Sequence, residues 1–271
     1  MHERTGIYFS DANAALLTIK LTSLLAEAGE SSFLDYYHRL RDEGTDDPEF
    51  QRLINAISVG ETWFFREMPQ MQTLLVDVLP RLMLSRDTRR EPIRIWSAAC
   101  ASGEEPLTLA ILIDEVHPEW FSGVQLHATD INAEVVTRAR TGVFRERAFR
   151  NMPSGTRERY FQSLAEGTRI DPALLARVTF GVGSLLDPSI ARHGERYDII
   201  LCRNVLIYFD DRSTLAAVKV FSDLLRPDGY LLLGNSESLL RFSLPWTLTE
   251  INGAFFYRPD TANAVDRQVA S

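Results

Sequence analysis

Residues able to do chemistry gather just after short apolar runs of this sequence. The stretch Ile95 to Ile111, IWSAACASGEEPLTLAI, begins as a buried strand and leaves through Glu-Glu-Pro into an amphipathic helix. Between them the small residues from Ala98 to Gly103 let backbone approach a ligand, and Pro106 suits a first helical turn. The loop has no G-x-G-x-x-G and no Gly-Lys-Ser/Thr, so neither the dinucleotide fingerprint nor the P-loop is present. Glu104 and Glu105 would repel a pyrophosphate and favour ammonium or sulfonium charge. A cationic nucleoside without phosphates fits that loop, with S-adenosylmethionine the foremost example. The alternative is that both carboxylates only complement the helix N-terminus, an effect of about 0.3 to 1 kcal/mol.

Further candidates fall at the ends of later apolar runs. Asp130 closes HATD, 27 residues beyond Gly103 (130 − 103), where nucleotide-binding sheets place a carboxylate on ribose hydroxyls. Asp130 or Asn132 could equally cap the next helix. Gly183, Ser184 and Leu185 follow RVTFGV and either flank an adenine ring or form a plain turn. Arg203 and Asn204 stand after DIILC, and Tyr208 follows shortly. Trp63 to Phe65 with Arg66 form a packing ridge or another piece of the site. No His or Lys sits in a base-like position, and His117, His127 and His193 read as structural.

The elements that must position these residues change character along the chain. From Ser10 to about Arg86 the apolar residues keep a helical period, in DANAALLTIKLTSLLAEAG, SSFLDYYHRLRDEG, DPEFQRLINAISV and EMPQMQTLLVDVLPRLML. Beyond SRDTRREP, short apolar runs alternate with helices, which predicts a mostly parallel, doubly wound α/β sheet. SESLLRFSLPWTLTEING, before the last strand AFFYRP, is too short for a crossover helix and predicts an antiparallel edge hairpin. The expected organisation is a helical domain and linker over 1–86, a ligand-binding α/β domain over 87–259 with a subdomain inserted near 147–182, and a tail at 260–271.

Composition narrows the function. With 271 residues, 45% hydrophobic and 24% charged, the chain is ordinary globular protein. A net charge of −8 argues against nucleic-acid binding through phosphate neutralisation. Cys100 and Cys202 are too few for a disulfide framework and lack zinc-ligand spacing, which suits a reducing cytoplasm and a site without metal. AALLTIKLTSLLAEAG carries Lys20 and is too short to span a membrane.

Together the words GETWFFRE, IWSAACASGEEP, ATDIN with RARTGVF, LCRNVLIYF and LLRPDGYLLLGNSESL resemble the CheR-type chemotaxis receptor methyltransferases, from about Ser58 to Arg258. The resemblance implies a class I methyltransferase sheet binding S-adenosylmethionine, a small helical N-terminal domain and an inserted β-subdomain. It implies methylation of glutamate side chains on the cytoplasmic domain of methyl-accepting receptors, by a cytoplasmic monomer. Carried over by motif, Thr62 and Arg66 reach the cofactor from the N-terminal side, Glu105 faces its methionine part and Asp130 holds the ribose. Ser184 and Leu185 flank the adenine, Arg203 and Asn204 close the site, and Arg66 and Tyr208 position the substrate carboxylate. Two positions depart from the pattern, since Gly60 and Ser184 stand where some relatives carry asparagine. The family's N-terminal docking surface is often basic, yet residues 1–66 hold six Lys/Arg against eleven Asp/Glu. A richer basic stretch runs through Arg138, Arg140, Arg145, Arg147, Arg150, Arg157 and Arg159, and reads first as a solvated helix face, with receptor contact the alternative. Competing readings are a nucleic-acid amino-methylating enzyme, against which stand the missing Pro-Pro loop and the acidic charge, and a scaffold that binds the cofactor without turnover.

Overall fold

The computed structural model describes residues 2–9, 14–30, 32–41, 44, 47–190 and 196–260. His193 and all but the first residue of the expected tail lie outside the described residues. Helices α1 (His2–Thr5), α2 (Ala14–Ala28), α3 (Phe33–Arg41) and α4 (Pro48–Ile57) come first. Asp47 starts α4 by accepting the amides of Glu49 and Phe50, each at 2.9 Å, with Pro48 in the first turn. The apolar faces of α2 to α4 meet in a separate core that includes Leu24, Leu25, Tyr36, Leu40, Phe50 and Ile54. Helices α5 (Met68–Thr73) and α6 (Leu79–Ser85) follow, joined by a π-helical turn, Leu74–Val78. The sequence grouped them with the N-terminal helices, but Met71, Leu75, Val78 and Leu82 pack into the core of the sheet.

Strands β1 (Ile93–Ala98) and β2 (Val124–Asp130) flank helix α7 (Glu104–Val116), and α8 (Ala133–Thr141) follows. Next come β3 (Val143–Phe144), α9 (Thr156–Tyr160), β4 (Phe161–Leu164), β5 (Gly167–Ile170), α10 (Pro172–Leu175) and β6 (Val178–Val182). The chain continues through β7 (Tyr197–Cys202), α11 (Asp211–Leu224), β8 (Leu225–Leu233), β9 (Trp246–Ile251) and β10 (Ala254–Pro259). The main sheet has the order β6-β2-β1-β7-β8-β10-β9. Strands β6 to β8 in that order run parallel, and β10 pairs antiparallel with β8 and β9, giving the mostly parallel sheet with an antiparallel edge hairpin that the apolar runs predict.

Every residue of β7 is buried, as expected of a central strand covered on both faces. Successive strands leave β1 first toward β2 and later toward β7, so their loops part at the β1/β7 border, where open α/β sheets bind ligands. Strands β3, β5 and β4 form a second, antiparallel sheet. Phe64 ties it to the main body, with its ring 4.8 Å from Phe144, 5.6 Å from Phe149 and 5.1 Å from Phe161, centroid to centroid.

Candidate active site

A cavity of about 1250 Å³, counting the space at its open mouth, lies at the carboxyl ends of β1, β2 and β7. Gly60, Thr62, Arg66, Glu105, Asp130, Leu185, Arg203, Asn204 and Tyr208 all line it. The floor is the loop after β1. Ala99 and Ala101 adopt left-handed backbone there, at φ 62° and 48°, a conformation that costs an alanine about 1 kcal/mol or more. The Cys100 amide bonds to the Thr129 carbonyl at 2.9 Å, and the Ala101 amide to Asp130 Oδ2 at 2.9 Å. Asp130 Oδ1 accepts the Asn132 amide, while the Asn132 side chain caps α8. The capping role thus falls to Asn132, and the Asp130 carboxylate lines the cavity. Burial pushes its carboxyl above the ordinary value, against the opposing pull of the backbone N–H donors.

The two glutamates after the loop point to different places. Glu105 lines the cavity, held by the Ser97 hydroxyl at 2.6 Å and by Arg203 at 3.0 Å. Glu104 does not line it. Only 4% exposed, it accepts the Ser102 hydroxyl at 2.9 and 2.8 Å, and burial pushes its carboxyl up. Successive helical residues project about 100° apart, so one of the pair had to turn away. The cationic selectivity expected of two carboxylates therefore rests on one, and that one is shared with an arginine.

Arg203 is enclosed, its side chain 2% exposed. Its guanidinium donates to Gln70 Oε1 at 3.1 Å, Glu105 Oε2 at 3.0 Å, the Arg66 carbonyl at 2.8 Å and Glu67 Oε2 at 3.2 Å. These bonds lock the segment carrying Arg66 onto the sheet while Arg203 also lines the cavity. Burial opposes charge on Glu67, but the Asn204 amide and Arg203 outweigh it and hold the Glu67 carboxyl below its usual value.

Ser184 departs from the expectation. Its hydroxyl donates to the Arg4 carbonyl at 2.9 Å and accepts the Leu186 amide at 3.2 Å, so it does not line the cavity; Gly183 and Leu185 do. The cause is a segment the sequence did not implicate. Residues 2–9 cross the cavity, with Thr5, Ile7 and Phe9 in its lining, the Tyr8 amide on the Tyr208 carbonyl at 2.8 Å and Ile7 bridged to Phe209.

The mouth is made of different material. The Arg66 guanidinium stands 4.3 Å from the Trp63 ring centroid and donates to the Glu61 carbonyl at 3.1 Å. Phe64 and Phe65 are buried packing, so the aromatic triple divides between core and site. The hydroxyl of Tyr208 has no hydrogen-bond partner among the described residues. Burial pushes its phenol up from the ordinary value, while Arg66 pulls it down. A Cβ on Gly60 would meet nothing closer than Val135 at 3.8 Å, so the site accommodates a side chain there.

Two family models match, "CheR methyltransferase, all-alpha domain" over residues 1–58 and "CheR methyltransferase, SAM binding domain" over residues 60–252. This chain belongs to the CheR methyltransferase family. Chemotaxis protein methyltransferase 2 of Vibrio cholerae is 34% identical over 244 residues, 89% of this chain and 84% of that one. The Escherichia coli chemotaxis protein methyltransferase is 31% identical over 252 residues, 92% and 85% of the two chains. A "probable biofilm formation methyltransferase WspC" of Pseudomonas putida is 35% identical over 242 residues, and this chain spans about half of it, 55%.

For a CheR methyltransferase the cavity offers a fitting donor set for S-adenosylmethionine, with carboxylates at the ends of β1 and β2, a loop of small residues and apolar walls from Ile7, Val135 and Leu185. Sequence reasoning missed Glu67, Gln70 and Glu237, which hold Arg203 and Asn204 from outside the cavity. Their words, GETWFFRE with its following helix and GNSESL, were legible; their partners across the fold were not. His117 stacks on Trp120, and His127 packs on Tyr197, both away from the cavity.

Proposed function

We propose that this chain transfers the methyl group of S-adenosylmethionine to glutamate side chains on the cytoplasmic domain of chemoreceptor-type signalling proteins, giving glutamate methyl esters and S-adenosylhomocysteine. The observation that carries the reading is one cavity with two unlike sides, carboxylates at the strand ends and Arg66 with an unpaired Tyr208 hydroxyl at the mouth. When bound, S-adenosylmethionine supplies a methyl group activated by its sulfonium centre. Asp130 holds the ribose hydroxyls, Glu105 faces the methionine part, and Leu185 with Gly183 flanks the adenine. Arg66 offers a fork of N–H donors to the substrate carboxylate, and Tyr208 donates a hydroxyl to it. A glutamate has a reference pKa of about 4.3, so the nucleophile is already an anion at neutral pH and needs no general base. The residues of the cavity instead align that carboxylate and exclude water.

The receptor reaches the mouth beside a groove lined by Lys20, Arg138, Arg147 and Arg150, which shares residues 58–62 with the cavity. Arg150 pairs with Glu61 at 3.1 Å, whereas Arg138 and Arg147 form no ion pair among the described residues. The rest of the basic stretch is engaged or lies apart, with Arg140 on the Phe180 carbonyl and Arg157 on Glu146. No helix among the described residues is long and apolar enough to cross a membrane. The test is incubation with methyl-labelled S-adenosylmethionine and a receptor cytoplasmic fragment. Base-labile label on glutamates of the fragment supports the reading; tight cofactor binding with no transfer favours the scaffold alternative.

A further inference from the structure

Glu237 follows β8 in the GNSESL word and makes no ion pair among the described residues. Its carboxylate accepts four backbone N–H groups. Oε1 takes Val205 at 2.9 Å and Leu206 at 2.7 Å, and Oε2 takes Asn204 at 2.7 Å and Gly234 at 2.6 Å. Three of these are successive amides of the loop after β7, converging on one anion as in an anion-binding backbone nest. Asn204 is left-handed at φ 62°, a conformation that needs outside support in a residue with a Cβ. Gly234 is required by the same contact, because a Cβ there would lie 2.8 Å from Glu237 Oε2 and 2.6 Å from Asn204 Nδ2. The loop so held places Asn204, Val205 and Tyr208 in the cavity lining.

We propose that Glu237 is a positioning residue for methyl transfer, holding the turn at Asn204–Leu206 so that Tyr208 presents its free hydroxyl to the substrate carboxylate. This rests on the methyltransferase reading. Glu237→Gln keeps the shape but replaces one acceptor oxygen by an N–H₂ that faces donors. It should lower kcat on a receptor fragment about three- to tenfold, the range expected for a lost or misaimed hydrogen bond, while KM for the fragment changes less than about threefold. A purely structural carboxylate would instead lower thermal stability without a link to Tyr208. The double variant Glu237→Gln/Tyr208→Phe should therefore be no slower than the worse single variant within about twofold, although its melting temperature falls as far as that of Glu237→Gln. Multiplying losses, or an unchanged kcat in Glu237→Gln, would overturn the proposal while leaving the receptor activity standing. If Glu237→Gln fails to fold, Gly234→Ala presses on the same carboxylate and must show the same non-additivity with Tyr208→Phe. An intact chain that binds S-adenosylhomocysteine but transfers no methyl overturns the functional reading, and this role with it.

Discussion

The floor and the mouth of the cavity handle their polar groups in opposite ways. On the floor, Asp130, Glu105, Arg203 and Asn204 already make hydrogen bonds to protein partners before any ligand arrives. At the mouth, Arg66 makes a single side-chain hydrogen bond and Tyr208 makes none among the described residues. A donor or acceptor engaged by the fold is pre-organised and moves little when the cofactor binds. One left free at a half-buried site is available to a group that arrives from outside, in the proposed reading the substrate carboxylate. The floor should therefore govern cofactor affinity, and the mouth should govern turnover.

The largest expected effect belongs to the floor. Asp130→Ala removes the proposed ribose acceptor and frees the Ala101 and Asn132 amides, and should weaken S-adenosylhomocysteine binding by about 100-fold or more, measured by calorimetry. Arg66→Ala should lower kcat/KM on a receptor fragment by about 100-fold with thermal stability nearly unchanged; near-normal methylation would remove Arg66 from the mechanism. Reversing charge in the groove, with Arg138→Glu and Arg147→Glu together, should raise KM for the receptor about tenfold and leave cofactor affinity alone. If KM stays put, docking lies elsewhere. Tyr208→Phe should cost about three- to tenfold in kcat, and no change would make Tyr208 packing.

The smallest effect is a pH dependence that should separate the two sides again. Burial raises the Asp130 carboxyl, and the proposed ribose contact needs it ionised. Cofactor affinity should then be full above that raised value and decline as pH falls through it, earlier than for an ordinary carboxylate. Asp130→Asn should flatten this decline, so a decline that persists unchanged in the variant belongs to another group.

How much of this could be read from residues alone depended on sequence distance. The sheet, its parallel centre and its antiparallel edge follow from local apolar runs and short connections. Asp130 and Glu105 were legible because a strand end followed by a helix fixes where such side chains stand. Glu104 turns away from the cavity because the turn of α7, not its neighbour in sequence, decides where it points. Ser184 was misjudged because its partner is the carbonyl of Arg4, 180 residues away. Glu67 and Glu237 hide for the same reason, since each acts on the loop after β7 from another part of the chain. The aromatic triple shows the limit within one word: Phe64 and Phe65 went to the core and Trp63 to the site, a division set by the β3–β5–β4 sheet packed against it.

The most direct test is calorimetric titration of S-adenosylhomocysteine into the intact chain, Asp130→Ala and Arg66→Ala. The intact chain should bind, Asp130→Ala should lose binding, and Arg66→Ala should retain it within about tenfold despite its lost turnover. No binding by the intact chain, or equal losses in the two variants, would contradict a cofactor floor distinct from a substrate mouth.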